Sequence, residues 1–402
     1  MASSSSGGPG GPKILLAKPG LVSGGPSAAG KFIRGTSVEE DTSSVSIRSR
    51  LPPVGSLNLL SDSWDFHFDR FLPFLTDNTE FTVVGVIGSP GVGKSSLMNE
   101  IYGFDPTSPG MLPPFAIQSE ETRANARHCT IGIEPRISAE RLILVDTQPM
   151  FSPSVLAEMT RPDGLSTVPV LGGETLSSEL AYELLSIQFG VLLASVCHVL
   201  LVVSEGVHEA NMWRLMSTVD LLKHGLPDPS SVTSHLQSSS LGSDKNNKDK
   251  LQEGGEEYIA TPVFIHTKLR NDDLSPHNCE QMKKVLAQYF HSSSFTRPVK
   301  NDHVSFPKSC DAEDTSVDSK LLDLFMVPRK KDNSLEFCYE SYDSMMWRIR
   351  DHILSMARPS FSRTVSERDW LKNTAKIWEL VKNSSIIAEY CRTLQSSGLF
   401  RR

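Results

Sequence analysis

Cysteine is scarce in this 402-residue chain: six residues, at 129, 197, 279, 310, 338 and 391, are scattered and form no Cys-x-x-Cys pair. That excludes a disulfide scaffold and leaves reduced structural thiols as the expectation. Long apolar runs are missing too. The most apolar stretch, Val191 to Val203, is interrupted by Ser195 and His198 and falls short of the roughly 18 residues of a membrane span. The opening Met-Ala-Ser-Ser-Ser-Ser-Gly-Gly-Pro lacks the charged and apolar blocks of a signal peptide, so a cytoplasmic chain is expected, with the nucleus left open. Nor is there an excess of positive charge. The 40 Lys and Arg against 47 Asp and Glu give a net charge of −7, which removes the electrostatic case for gripping nucleic acid over the whole surface. The basic clusters Arg329-Lys330-Lys331 and Arg401-Arg402 are short and lack interleaved aromatics. No direct sequence-specific nucleic-acid binding and no membrane contact is expected. A Gly-x-Ser-x-Gly elbow, a His-Glu-x-x-His pair and the kinase motifs are all absent, and no catalytic residue is assigned.

What is present divides the chain. The length allows two to three domains, or one large core with tails. Counted with glycine and without tyrosine, the apolar share is about 44%, just under the globular norm of about 45–50%, so part of the chain is expected to be unfolded. Up to about Pro53 the sequence is rich in Ser, Gly and Pro and cannot bury enough surface to offset the entropy of ordering. Residues 1–56 are therefore read as a disordered tail. Its one apolar cluster, Lys13 to Pro19, is either incidental or a short docking element. A second polar block, Asp228 to Glu257, has no apolar period and reads as a flexible insertion. The expected organisation is a folded domain over 57–338, carrying that insertion, and C-terminal helices over 339–402.

Inside the domain, strands and helices alternate. Phe81 to Ile87 is a continuous β-prone apolar run, as a strand buried on both faces requires. A helix is predicted over Lys94 to Tyr102. Ile131 to Ile137 and Leu142 to Val145 suit two antiparallel strands around a tight turn. Further helices are predicted over Leu176 to Val196, Glu209 to His224 and Cys279 to Phe290. Strands are predicted over His198 to Val203 and Pro262 to Thr267. Strands spaced by helices imply parallel pairing with right-handed crossovers, an α/β fold of three layers. Two late runs are helical in period: Glu340 to Met356, ended by Pro359, and Glu367 to about Leu394. Trp370 and Trp378 in the second run either pack onto the sheet or form an exposed anchor for a partner. Cys197 and His198, at a strongly apolar helix-to-strand junction, are expected to be structural.

One motif carries chemistry. Gly88-Ser89-Pro90-Gly91-Val92-Gly93-Lys94-Ser95, continued by Ser96, fits Gly-x-x-x-x-Gly-Lys-[Ser/Thr] and lies between a strand and a helix. In such a P-loop the glycines let backbone N–H groups curl around phosphates, and the helix N-terminus adds partial positive charge. Lys94 would reach the β- and γ-phosphates and Ser95 would coordinate Mg²⁺. Asp146, at the end of the next strand, can hold the Mg²⁺ shell, and Thr130 sits where a small GTPase places its metal-sensing threonine. A Gly-rich turn without a ligand and a strand-end aspartate without a metal are the alternatives.

Two departures limit that chemistry. In GTPases the strand-end aspartate leads into x-x-Gly-Gln, whose glutamine orients the attacking water. Here those positions are Pro149 and Met150, with Gln148 beside them. Proline has no N–H and a thioether cannot orient water as an amide does, so hydrolysis is expected to be absent or very slow. The guanine-reading Asn-Lys-x-Asp is replaced by Thr267-Lys268-Leu269-Arg270. Arginine only donates, so guanine should lose its advantage and ATP or ADP, with Mg²⁺, is favoured over GTP or GDP.

Several stretches together resemble a known family. They are Gly88 to Ser95, Val145-Asp146-Thr147-Gln148-Pro149 with Ser152-Pro153-Ser154, Val196-Cys197-His198-Val199, and Ser355-Met356-Ala357-Arg358-Pro359 through Trp370 and Ala375-Lys376-Ile377-Trp378 to Ala388-Glu389-Tyr390. The combination is similar to the SMG-nine family of nonsense-mediated mRNA decay factors over roughly Leu59 to Leu394. The resemblance implies a G-domain-like P-loop fold that pairs with an SMG-eight-like subunit and docks on the SMG-one kinase, which phosphorylates the UPF-one helicase. The protein would then be a regulatory and scaffold subunit that binds a nucleotide. The rival reading is an independent P-loop NTPase switch with an unconventional hydrolysis site.

Overall fold

The computed structural model describes residues 56–105, 107, 112–125, 127–160, 170–171, 174–232, 257–296, 322–330, 339–357 and 359–398. The chain divides into Met1–Pro53 and Val54–Arg402. The first unit, with the expected tail and the Lys13 to Pro19 cluster, lies outside the described residues, as do most of the 228–257 block, Lys331 and the terminal Arg401-Arg402.

Six strands form the main sheet in the order β2-β3-β1-β6-β7-β8. They are β1 (Thr82–Gly88), β2 (Ile133–Ile137), β3 (Leu142–Thr147), β6 (Val199–Glu205), β7 (Thr261–Leu269) and β8 (Asp323–Pro328). The intervening β4 (Val170–Leu171) and β5 (Glu174–Thr175) form a separate two-stranded ladder. Only β2 runs antiparallel to its neighbour in the six-stranded sheet. This is the mixed α/β architecture that alternating elements predict, with a mostly parallel sheet. All seven residues of β1 are buried, and they alternate between two cores. Val83 and Ile87 face one side and Val84 and Val86 the other.

Two helices cover the second of these faces: α1 (Lys94–Tyr102), through Leu97, Met98 and Ile101, and α7 (Tyr342–Ser355), through Met345, Met346, Ile349 and Ile353. The other face carries α4 (Ser178–Val196), α5 (Asn211–Leu222) and α6 (Pro276–Tyr289), together with α8 (Glu367–Lys382) and α9 (Ser385–Ser396). Two short helices, α2 (Glu120–Ala124) and α3 (Pro153–Met159), border the loops at the carboxyl ends of the strands. Helix α4 is long and apolar enough to cross a membrane, but 83% of that stretch is buried inside the fold, as expected of a central core helix.

The C-terminal tryptophans pack rather than anchor a partner. Trp370 and Trp378 are 1% and 0% exposed, and their indole N–H groups donate to Val196 O at 2.8 Å and Trp64 O at 2.7 Å. Glu367, buried at the start of α8, pairs with Arg141 and accepts Thr76 N–H at 2.8 Å. Cys197 and His198 are structural as expected: the thiol is fully buried, and His198 Nδ1 accepts the Val83 N–H at 2.9 Å.

The structure refines the sequence reading at four places. The run from Glu367 to about Leu394 forms two helices, because the Ser384 hydroxyl accepts Ile387 N–H and starts a new N-terminus. The strand expected from Ile131 begins at Ile133, since Gly132 turns the chain with φ +62°. The insertion does not begin at Asp228. That carboxylate is buried and accepts from Ser230 and Ser362, and Val232 belongs to the core. Finally, β8 is an unforeseen edge strand, short and ending in proline, which an edge tolerates.

Candidate functional site

The loop after β1 is shaped by three glycines. A Cβ on Gly88 would lie 2.4 Å from Val203 O on β6, so only glycine lets the two strands sit this close. Gly91 and Gly93 have φ +72° and +97°, the left-handed region, and an added Cβ at either meets nothing within 4 Å. The loop thus curls around open space. Gly93 precedes α1 without any side-chain cap, leaving the first-turn N–H groups available.

Lys94 folds back into this loop. Its Nζ donates to Gly88 O at 2.9 Å and Ser89 O at 3.1 Å. Burial pushes its ammonium down from 10.5 to about 8, against the pull of Asp146 and Glu209. Glu209, which sequence reasoning placed at the start of a helix, instead lies just before α5. It accepts the Ser89 hydroxyl and the Glu205 N–H. Nothing in its local pattern marks it out; only the approach of the β6–α5 turn to the β1 loop does.

The three residues assigned to a metal do converge. The Ser95 hydroxyl donates to Asp146 Oδ2 at 2.7 Å and that of Thr130 donates to the same oxygen at 2.9 Å, with 3.3 Å between the two hydroxyls. Asp146 lies within β3, one residue further into the strand than expected, and is completely buried. Burial raises its pKa, opposed by the Ser95 hydrogen bond, the Lys94 charge and Thr130. No cluster of three His, Cys, Asp or Glu suited to a metal exists among the described residues. An ion here would need these hydroxyls and oxygens from a ligand, the mixed oxygen set that suits Mg²⁺. The residues fit such an ion: two hydroxyls already crowd one carboxylate oxygen.

The positions beside Asp146 are committed elsewhere. Gln148 is 3% exposed. Its N–H donates to Gly132 O at 2.9 Å and its Oε1 accepts the Gly132 N–H at 3.0 Å, locking the start of β2. Met150 donates its N–H to Gly88 O at 3.0 Å and buries its side chain in the core. Pro149 lines a cavity of about 520 Å³ that opens over Gly91, Lys94 and Ser95. The cavity extends past α2 and the 125–130 loop to α3, and none of Thr267 to Arg270 lines it. Thr267 instead donates to Val92 O at 2.9 Å, Lys268 pairs with Glu205 at 2.8 Å, and Leu269 is buried.

No protein-family profile matches the chain. Individual relatives do. Nonsense-mediated mRNA decay factor SMG9 of Xenopus tropicalis is 31% identical over 354 residues, 81% of this chain. The factor of the same name from Xenopus laevis is 30% identical over the same length, and that of Salmo salar 28% over 358 residues. The chain belongs to the SMG9 family. It spans 64% of the length of each Xenopus relative and 67% of the Salmo salar factor. Three of the stretches quoted for the SMG9 resemblance occupy elements that build the site: the loop after β1, the end of β3 and the start of α3.

Taken together, the site sets uncapped backbone N–H groups and a buried ammonium beside a carboxylate with two hydroxyls. Such an array can hold a polyanion with one part and a divalent cation with the other.

Proposed function

We propose that this SMG9-family chain is a regulatory and scaffold subunit in nonsense-mediated mRNA decay that binds a purine nucleotide with Mg²⁺ through a P-loop, Gly88 to Ser96. It works in the cytoplasm, in complex with an SMG-eight-like subunit and an SMG-one-like kinase, and reaches the UPF-one helicase only through that kinase. The family similarity supports the role in decay. The observation that carries nucleotide binding is the convergence of Lys94, Ser95, Thr130 and Asp146 beneath a glycine loop that closes on open space.

In this reading Lys94 and the loop N–H groups hold the β- and γ-phosphates, while Ser95, Thr130 and Asp146 hold Mg²⁺, which screens phosphate charge. No hydrolysis is proposed, because Gln148 is held by Gly132 and Pro149 and Met150 offer nothing to orient water. Adenine is favoured over guanine because Arg270 supplies no acceptor for the guanine N1 and N2 protons. The test is purification of the tagged protein from cells at moderate salt, with mass spectrometry of co-purified chains and of nucleotide released by denaturation. Stoichiometric recovery of an SMG-eight-like subunit, the kinase and an adenine nucleotide is expected. Bound nucleotide without either protein would shift the assignment to an independent NTPase switch, and steady turnover abolished by Lys94→Ala would overturn the absence of hydrolysis.

A further inference from the structure

The charge of the cavity differs from that of the chain. The protein carries a net charge of −7, yet among the described residues the cavity is lined by Lys94, Arg123 and Arg127 and by no Asp or Glu. A concave lining with three cations, its nearest carboxylate, Asp146, buried behind Ser95 and Thr130, favours a multiply charged anion. Lys94 lies at the loop. Arg127 lines the same cavity, three residues before Thr130, whose hydroxyl is held by Asp146.

Arg127 is fixed at its backbone and unclaimed at its side chain. Its N–H donates to Thr122 O at 2.9 Å and its carbonyl accepts Gln118 Nε2 at 2.8 Å. The next residue, His128, is pinned to α3 by Ser154 Oγ at 2.8 Å and Glu158 at 3.4 Å. The guanidinium has no acidic partner among the described residues and is exposed to the cavity. An arginine with a fixed stem and a free planar fork suits bidentate capture of a phosphate group. An arginine supplied by the same chain, beside the P-loop lysine, is a means by which some nucleotide-binding proteins neutralise the terminal phosphate in cis.

We propose that Arg127 reads the terminal phosphate, so that the site distinguishes nucleoside triphosphate from diphosphate. The proposal rests on the nucleotide-binding reading above and specifies its ligand. With Gln148 held by Gly132, and Pro149 and Met150 unable to orient water, the arginine is assigned to sensing the triphosphate rather than speeding its cleavage.

The experiment is calorimetric titration of the full chain with Mg²⁺ and either ADP or the non-hydrolysable β,γ-imido analogue of ATP. Wild type, Arg127→Ala, Arg127→Lys and Arg123→Ala are compared, with thermal melts to verify folding. Wild type should bind the triphosphate analogue at least about tenfold more tightly than ADP, one charge-assisted hydrogen-bonded contact. Arg127→Ala should abolish that ratio while moving the ADP affinity by less than about threefold, and Arg127→Lys should restore part of it as a point charge without the fork. A wild type that binds both ligands equally, an Arg127→Ala variant that weakens both alike, or a ratio lost only in Arg123→Ala would each overturn the assignment while nucleotide binding stands. Absence of binding by either ligand would overturn both readings together.

Discussion

The loops after β1 and after β7 stand at the carboxyl ends of strands that flank β6 in the same sheet, yet they have fared differently. The β1 loop is built from backbone groups, glycine conformations and one buried lysine, and its first glycine, Gly88, is also required by the packing of β1 on β6. Altering Gly88 disturbs the fold. The β7 loop, where a guanine-specific site relies on one aspartate side chain, has Arg270 pointing outward at 80% side-chain exposure and 3.6 Å from Asp273. Lys268 there adopts φ +59° and pairs with Glu205. A function carried by the backbone is tied to stability, whereas one carried by a single exposed side chain can be exchanged for a local salt bridge.

This contrast is open to attack, the severest blow first. Lys94→Ala should cost at least about a hundredfold in nucleotide affinity, because it removes an ammonium that would meet two phosphates in a buried setting. Equilibrium titration measures it, and a loss under threefold would place the binding energy elsewhere. Asp146→Asn should reduce the benefit of Mg²⁺ by about thirtyfold or less, since an amide still accepts but no longer carries charge. Titrations with and without Mg²⁺ check this; equal loss in both would mark Asp146 as structural.

The pH profile gives the next effect. Burial holds the Lys94 ammonium at about 8 instead of 10.5, so affinity should fall about tenfold by pH 9 if only the charged form binds. The ligand-free fold should move the opposite way. Between about 8 and 10.5 the unfolded chain binds the proton that the folded chain has lost, so stability rises with pH in that window. Thermal melts of wild type and Lys94→Ala across this range test both signs. The smallest effect is expected at the other loop, where Arg270→Asp should raise the guanine-to-adenine affinity ratio by at most about tenfold, or about 1.4 kcal/mol. Competition between ATP and GTP reads it directly, and an unchanged ratio would show that base selection does not depend on this position.

Much of this was legible in the chain itself. The apolar run of β1, the glycine–lysine loop and the helix behind it follow from local pattern and spacing, and the structure has them within a residue or two. Ser95, Thr130 and Asp146, proposed to hold Mg²⁺, could be singled out because each adjoins a recognisable element: the start of α1, the approach to β2 and the end of β3. Glu209 was not, because its partner Ser89 is 120 residues away. Nor could the pattern reveal that Gln148 Oε1 accepts the Gly132 N–H. The break between α8 and α9 was missed because an apolar stripe continues through Asn383 and Ser384, and only the Ser384 hydroxyl bond ends it. Strand β8 is a six-residue edge strand with four residues buried, and the sequence reading places no strand there.

The sequence by itself determined the order of elements, the conformational demands of Gly91 and Gly93, and the chemical types available at the site, because these depend on neighbours in the chain. Only the tertiary structure decided which side chains are spent on one another and which remain for a ligand. Lys94, Ser95, Thr130 and Asp146 meet, Gln148 Oε1 is taken by Gly132, and among the described residues Arg127 has no acidic partner and no Asp or Glu lines its cavity. The reason is physical: hydrogen bonds and charge depend on distances through space, and those are set by how the sheet closes and which face each helix buries.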